Sequence, residues 1–309
     1  MNKDIFKDRD SLLNAIGTFF DDTIDTTRII NERILWRNLL YYCGEQYLEF
    51  MRSSNSFRRR NISPNTPTPV SNDIREYVRS IKAMLMNQKM VPRVWPNTNE
   101  KEDEQASDTG QNVLVWMDQD HDGAFFDEKE KLIIWLCLSG TAFMRTFPDL
   151  DGGRWVQGED GLWKTGDVAT ECILPFNARL DTFGDKLTQK RWIGIQSLKP
   201  REWTEDTFKI KLESAEKNNP VIDYQRKLAN LVSNVSPWKG MPFDSSSIST
   251  EDDDSILFRE IEFKPQKDYP LGRYVIATSD KILKIYDRLL IKSTPDQCSY
   301  SLTDFHFNY

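Results

Sequence analysis

Histidine is nearly missing from this chain: His121 and His306 are the only two in 309 residues, and they lie far apart. No serine or cysteine sits in a nucleophile-elbow context, so a Ser-His-Asp type of triad lacks its parts. Cysteine is sparse too. Cys43, Cys137, Cys172 and Cys298 are scattered, with no Cys-x-x-Cys pair. Zinc needs ligands at short spacing, which these do not offer. Free thiols made in a reducing cytoplasm are the expectation. No Gly-x-x-x-x-Gly-Lys-Ser/Thr loop occurs, which excludes ATP hydrolysis by that route. There is no run of about 18 apolar residues, so no membrane span is expected. The opening Met1-Asn2-Lys3-Asp4-Ile5-Phe6-Lys7 lacks the charged-then-apolar form of a signal peptide. An excess of basic residues is also lacking: 41 Lys and Arg against 48 Asp and Glu leave a net charge of -7 and a pI near 5.1. Tight, general binding of duplex nucleic acid demands clustered cations, and the balance argues against it. No internal repeat is visible.

What the chain does have is apolar and aromatic residues. A hydrophobic share of 39% suffices for a packed core. Nine tryptophans suggest broad packed surfaces as well as interiors. The length allows one large domain or two ordinary ones.

The stretch from Trp36 to Pro96 organises the rest. Trp36, Leu40, Cys43, Tyr47 and Met51 recur every three or four residues and predict one helix with a single apolar stripe. Gly44 then sits mid-helix, at a cost of roughly 1 kcal/mol against Ala. Either another backbone passes close to it or the helix is weak there. Arg58-Arg59-Arg60 follows, and Pro64, Pro67 and Pro69 hold an extended path. Asp73 with Glu76 reads as a capping-box start. The helix it opens is expected to bury Ile74, Tyr77, Val78, Ile81 and Leu85 and to stop before Pro92, giving way to the extended Val91-Pro92-Arg93-Val94-Trp95-Pro96.

Elsewhere the periods alternate between helix and strand. Residues near 10 to 31 read as one or two helices with Leu12, Ile16, Phe19 and Phe20 on one face, broken by Asp21-Asp22-Thr23-Ile24-Asp25. Residues 100–118 and 125–138 read as helices, the second closed by Gly140. Ala142, Met144 and Thr146 begin a strand, with turns at 148–153 and 158–161 around a hairpin of Trp155-Val156-Gln157 and Leu162-Trp163-Lys164. Strands are expected at 171–180, 190–197, 256–263, 273–278 and 281–286, and helices at 200–217 and 221–235. Residues 243–255 read as a solvated loop. Thr303 to Tyr309 alternates like a strand with an exposed aromatic edge. The fold class is α+β: a helical part at 1–147 packed with a β-rich part, with two helices, at 148–309.

The sharpest chemical lure is Asp118-Gln119-Asp120-His121-Asp122-Gly123, which copies the first half of a calcium-binding loop. Its twelfth position is Lys129, where a bidentate Glu is needed, so a solvated turn between helices is the better reading. A magnesium nuclease site from Asp118, Asp120 and Asp122 would need a second acidic cluster that the sequence does not supply. Asp149 and Asp151 fit a hairpin turn. No catalytic, cofactor-binding or metal-binding residue is therefore assigned. Arg58, Arg59 and Arg60 read either as a solvated basic loop or as a contact to a subunit or to DNA. Trp155, Trp163, Trp192 and Trp203 fit core and hairpin packing better than a base-stacking platform. The run Glu251-Asp252-Asp253-Asp254 reads as a solvated loop.

Trp36-x-Asn38, Tyr42-x-Gly44-x-Gln46-Tyr47, the Pro-rich crossing, Asn72-x-Ile74 and Val91 to Pro96, in that order, resemble the N-terminal wing portion of tailed-bacteriophage portal proteins. Ser139-Gly140 to Arg145 resembles that family's helix-to-strand step. Ile173-Leu174-Pro175-Phe176-Asn177 with Asp181 resembles a strand that usually ends in Asp-Pro, although Thr182 follows here. The resemblance implies a non-enzymatic ring, usually of twelve subunits, at a capsid vertex of the virion, assembled in the host bacterial cytoplasm. Its implied partners are its own copies, the terminase large subunit, capsid and tail adaptor proteins, and double-stranded DNA that passes through without tight binding. No cofactor and no membrane are implied. Stem, clip and crown regions have no counterpart, so the chain reads as truncated after Tyr309. Another head-to-tail adaptor, a capsid-associated protein or a metal-dependent nucleic-acid enzyme stand as the alternatives.

Overall fold

The computed structural model describes residues 8–21, 26–51, 56–61, 63, 65–87, 93–96, 98, 100–118, 124–149, 152–158, 161–184, 186–212, 255–267, 269–289 and 300–306. Helix α1 (Arg9–Phe19) buries Leu12 and Ile16, with Phe20 just beyond its end, as their spacing predicts. These side chains lie on one face of a five-stranded antiparallel sheet in the order β11 (Ile282–Tyr286), β10 (Arg273–Ala277), β9 (Ser255–Phe263), β8 (Trp192–Pro200), β7 (Ala178–Leu180). Phe19 stacks on Trp192 at 4.5 Å. Gly194 on β8 is a close approach: a Cβ there would stand 2.7 Å from the Phe20 ring.

The sheet's other face meets a three-stranded antiparallel sheet, β12 (Leu302–His306), β3 (Thr141–Asp149), β6 (Asp167–Ile173). Phe143 and Ile173 pack there against Ile193 and Ile195. Successive strand residues point to opposite faces, and both faces of β3 are used. Phe143 and Arg145 enter the sheet-to-sheet interior, while Ala142 and Met144 meet a helical layer. That layer holds α2 (Thr26–Cys43), α3 (Asp73–Asn87), α4 (Lys101–Asp118) and α5 (Ala124–Ser139). A hairpin of β1 (Leu48–Met51) and β2 (Ser56–Arg59) leans on α2, and its Phe50 and Phe57 rings meet Trp36 at 5.1 and 5.4 Å. A second hairpin, β4 (Trp155–Gly158) with β5 (Gly161–Lys164), follows β3, and α6 (Arg201–Phe208) follows β8. The α+β class, helical first and β-rich later, is what the structure has.

Several local expectations are corrected. The helix expected at Trp36 to Met51 starts ten residues earlier and ends at Cys43, so Tyr47 lies in a turn and Met51 on β1. Gly44 is not mid-helix: it has φ +84°, a left-handed conformation that suits Gly just past a helix end. Ile74 and Tyr77 are exposed, Tyr77 by 70%, and of the expected buried set on α3 only Val78 is fully buried. The strand expected at 171–180 splits in two at the Leu174–Asn177 turn, closed by Asn177 N–H to Leu174 C=O at 2.8 Å. Strand β3 runs through Pro148, where a turn was expected. The helix expected at 200–217 stops at Phe208, because Lys209 turns left-handed at φ 55°. Strand β12 is not a free edge on both sides, since it pairs with β3. Trp192 is buried as expected, but Trp155, Trp163 and Trp203 are exposed. The helix expected at 221–235, the loop expected at 243–255 apart from Ser255, which opens β9, and Cys298 lie outside the described residues.

Candidate assembly interface

A helix end leaves carbonyl and amide groups without partners inside the helix. Here three helix ends meet, and asparagines satisfy them. Asn38 Nδ2 donates to Leu138 C=O at the end of α5 (2.8 Å). Asn72 Nδ2 donates to Tyr42 C=O at the end of α2 (3.0 Å), while its Oδ1 accepts from Arg75 N–H in the first turn of α3 (3.3 Å). The cap of α3 is therefore Asn72, not the expected Asp73. Gly44 lets the chain turn so that Glu45 N–H reaches Leu40 C=O at 2.9 Å. Tyr47 Oη donates to Pro69 C=O at 2.8 Å, and Gln46 Nε2 to Ser71 C=O, tying down the Pro-rich crossing. Asn38, Tyr42, Gly44, Gln46, Tyr47 and Asn72 thus form one junction. Asp181 is likewise a buried anchor, accepting from Arg191 Nε at 2.6 Å. Burial alone would push its carboxyl up, but the hydrogen bonds from Arg191 hold it below the ordinary value.

Arg58 and Arg59 lie on strand β2, not in a loop, opposite Glu49 and Leu48 in register. Arg60 follows, its guanidinium over the Tyr41 ring at 5.9 Å. All three are exposed. Arg33 and Arg37, one turn apart on α2, join them, and Arg33 pairs with Glu49 at 3.1 Å. A cleft of about 400 Å³ opens between α2 and the hairpin, with Ile30, Ile34, Leu48 and Phe50 as its floor and Arg33, Arg37 and Arg60 around it. Sequence reasoning missed the α2 arginines. Their four-residue spacing is a signal that only a helix extended back to Thr26 makes readable.

The Arg93–Pro96 segment is clamped along α4. Val94 N–H donates to Gln111 Oε1 and Ser107 Oγ donates to Val94 C=O, both at 2.9 Å. The Val94 side chain lies over Gly110, and Trp95 is left 74% exposed with Arg93 over its ring at 5.0 Å. The hairpin β4–β5 also carries exposed Trp155, Leu162 and Trp163.

Between the two sheets lies a charged network with no warning in the sequence. Arg145 is held by both oxygens of Glu260 (2.6 and 2.7 Å) and by Glu171 at 3.3 Å. Tyr274 Oη donates to Glu260 Oε1. Burial and the nearby Glu260 charge push the Tyr274 hydroxyl up, and Glu260 keeps the Arg145 guanidinium charged against its burial. Glu262 accepts from Ser301 Oγ and N–H, and burial pushes its carboxyl up. Arg145 through its two terminal nitrogens, Glu260 and Tyr274 hold one another, which suits a clamp rather than a proton shuttle, and only the buried Arg145 Nε of that guanidinium is left without a hydrogen-bond partner among the described residues. Burial also pushes the Cys43 and Cys172 thiols up to about 12, which leaves them protonated and poor nucleophiles.

The Asp118 to Gly123 turn lies outside what the structure describes, apart from the backbone of Asp118 as the last residue of α4. His306 lies on β12 opposite Thr141, and His121 lies outside the described residues. Among the described residues no three His, Cys, Asp or Glu converge to hold a metal, and no helix is long and apolar enough to cross a membrane. No model of a known family matches the chain, and no curated protein matches it.

Proposed function

We propose that this chain is a structural subunit of a tailed-phage portal, or of its wing, which assembles with its own copies into a ring at the capsid vertex. DNA is packaged and ejected through the ring, driven by a separate terminase, and the chain itself catalyses no reaction. One observation carries this reading. Six of the residues that carry the portal resemblance, Asn38, Tyr42, Gly44, Gln46, Tyr47 and Asn72, tie the end of α5 to α2, and the end of α2 to the start of α3 and the Pro-rich crossing. A junction of this kind fixes the angles between elements, which a ring of identical chains needs if it is to close. The acidic balance supports the same reading, since a channel for moving DNA should not grip phosphates. Negative-stain microscopy of the full chain tests it: closed rings with a central hole are expected, and a monodisperse monomer under all conditions overturns it. Binding of the terminase large subunit to the ring separates a portal from another head-to-tail adaptor.

A further inference from the structure

We propose that neighbouring copies are joined head to tail by Trp95 of one chain seated in the α2–hairpin cleft of the next. This rests on the ring reading and names its seam. The β1–β2 hairpin packs on α2, α2 and α3 pack on each other and on α5, and α5 packs on α4. The hairpin and α4 sides of this layer carry opposite charge. Arg33, Arg37, Arg58, Arg59 and Arg60 stand exposed at the hairpin end. At the α4 end Glu100, Glu102, Glu104 and Asp108 are exposed, with Lys101 among them and Arg93 beside Trp95, which leaves a net acidic surface there.

Shape matches charge. The hairpin end holds the cleft of about 400 Å³, with Ile30 and Ile34 exposed in it. That volume falls in the ~300–1,000 Å³ range of ligand-binding clefts, which is room enough for an indole. The α4 end holds Trp95, whose neighbour Val94 is pinned at both its N–H and its C=O, so the indole is presented on fixed backbone. A pre-positioned Trp loses little freedom on docking, and Trp and Arg dominate interface energetics. Arg93 covers one face of the ring and leaves the other open to the cleft floor. A knob at one end of a layer and a hole at the other make a heterologous contact, the type that generates rings.

The test uses three variants of the full chain, followed by sedimentation and microscopy, with circular dichroism to verify folding. Arg37→Glu/Arg60→Glu puts acid against acid, and Glu104→Arg/Asp108→Arg puts base against base. Each is expected to weaken assembly at least about tenfold. The chain carrying both swaps restores the match in every seam and is expected to assemble again. Separately, Trp95→Ala removes the indole and is expected to weaken assembly at least about tenfold. Rings that form normally with either swap, or with Trp95→Ala, overturn this seam and leave the ring reading standing. Failure of the double swap to reassemble also overturns the seam. A wild-type chain that never assembles overturns both.

Discussion

Asn72 shows how much one side chain can hold. Its amide caps the end of α2 and its carbonyl oxygen caps the start of α3, so a single residue sets the angle at which the Pro-rich crossing delivers the second helix to the first. Replacing it by Ala removes an N-cap and leaves the buried end of α2 short of a donor. A loss of about 1–3 kcal/mol is expected in urea unfolding. Asn72→Ser keeps the cap oxygen but not the reach to Tyr42 and should recover roughly 1 kcal/mol of it. Equal stability of the Ala variant and wild type would mean that Asn72 does not hold the junction. Gly44, beside it, has no substitute: at φ +84° any Cβ is strained, and the space is already shared with the Asn72 amide at 3.3 Å.

At the level of elements, the seam between the two sheets is the most exacting part of the fold, and Glu262 makes it sensitive to pH. Burial holds the folded carboxyl above its ordinary value of 4.5, against the pull of Ser301 and Arg145. The sign follows: its contribution is fully present below that ordinary value and is lost as pH rises through the folded one. Over the pH range above that ordinary value, stability should therefore fall more steeply in the wild type than in Glu262→Gln, which cannot ionise. Parallel melting curves for the two chains across that range would refute this. Legibility in the sequence divides along the same lines. Strands β9, β10 and β11 and helices α4 and α5 are readable as runs of one element type bounded by turn residues, Gly140 after α5 among them, although α5 buries Leu132, Ile133, Ile134 and Trp135 in a row and so carries no single stripe. Helix α2 is misplaced by its pattern because apolar Ile30 and Ile34 are exposed on it while Glu32 is buried, so hydrophobicity along the chain does not mark the face that Leu35, Trp36, Leu39, Leu40 and Cys43 bury. Tyr47 and Met51 happen to continue a helical spacing beyond the real end, and the conformational freedom of Gly44 was the cue that should have outweighed it. Arg145, Glu260 and Glu262 lie far apart in sequence, and nothing local announces that two sheets will bring them together. Of the candidate interface, Arg58 to Arg60 were readable as a basic run; the cleft behind them and the clamp on Val94 were not, since both depend on distant elements meeting.

For the whole molecule the decisive quantity is where charge sits. A net charge of -7 repels a duplex at long range, and the exposed cluster of Arg33, Arg37, Arg58, Arg59 and Arg60 is partly matched by Glu49. If that cluster faces a neighbouring copy, it is not free to hold phosphate. The full chain should then bind a short random duplex no tighter than the ~10⁻⁴–10⁻⁶ M of ordinary non-specific association at physiological salt. Each neutralised phosphate contributes a slope of about -0.9 to log affinity against log salt, so even Arg58, Arg59 and Arg60 together allow no slope steeper than roughly -2.7. Fluorescence anisotropy over a salt series measures both. Nanomolar affinity with a slope several times steeper would mean that these arginines and others converge on nucleic acid, and the same result would count against a channel built to let DNA slide.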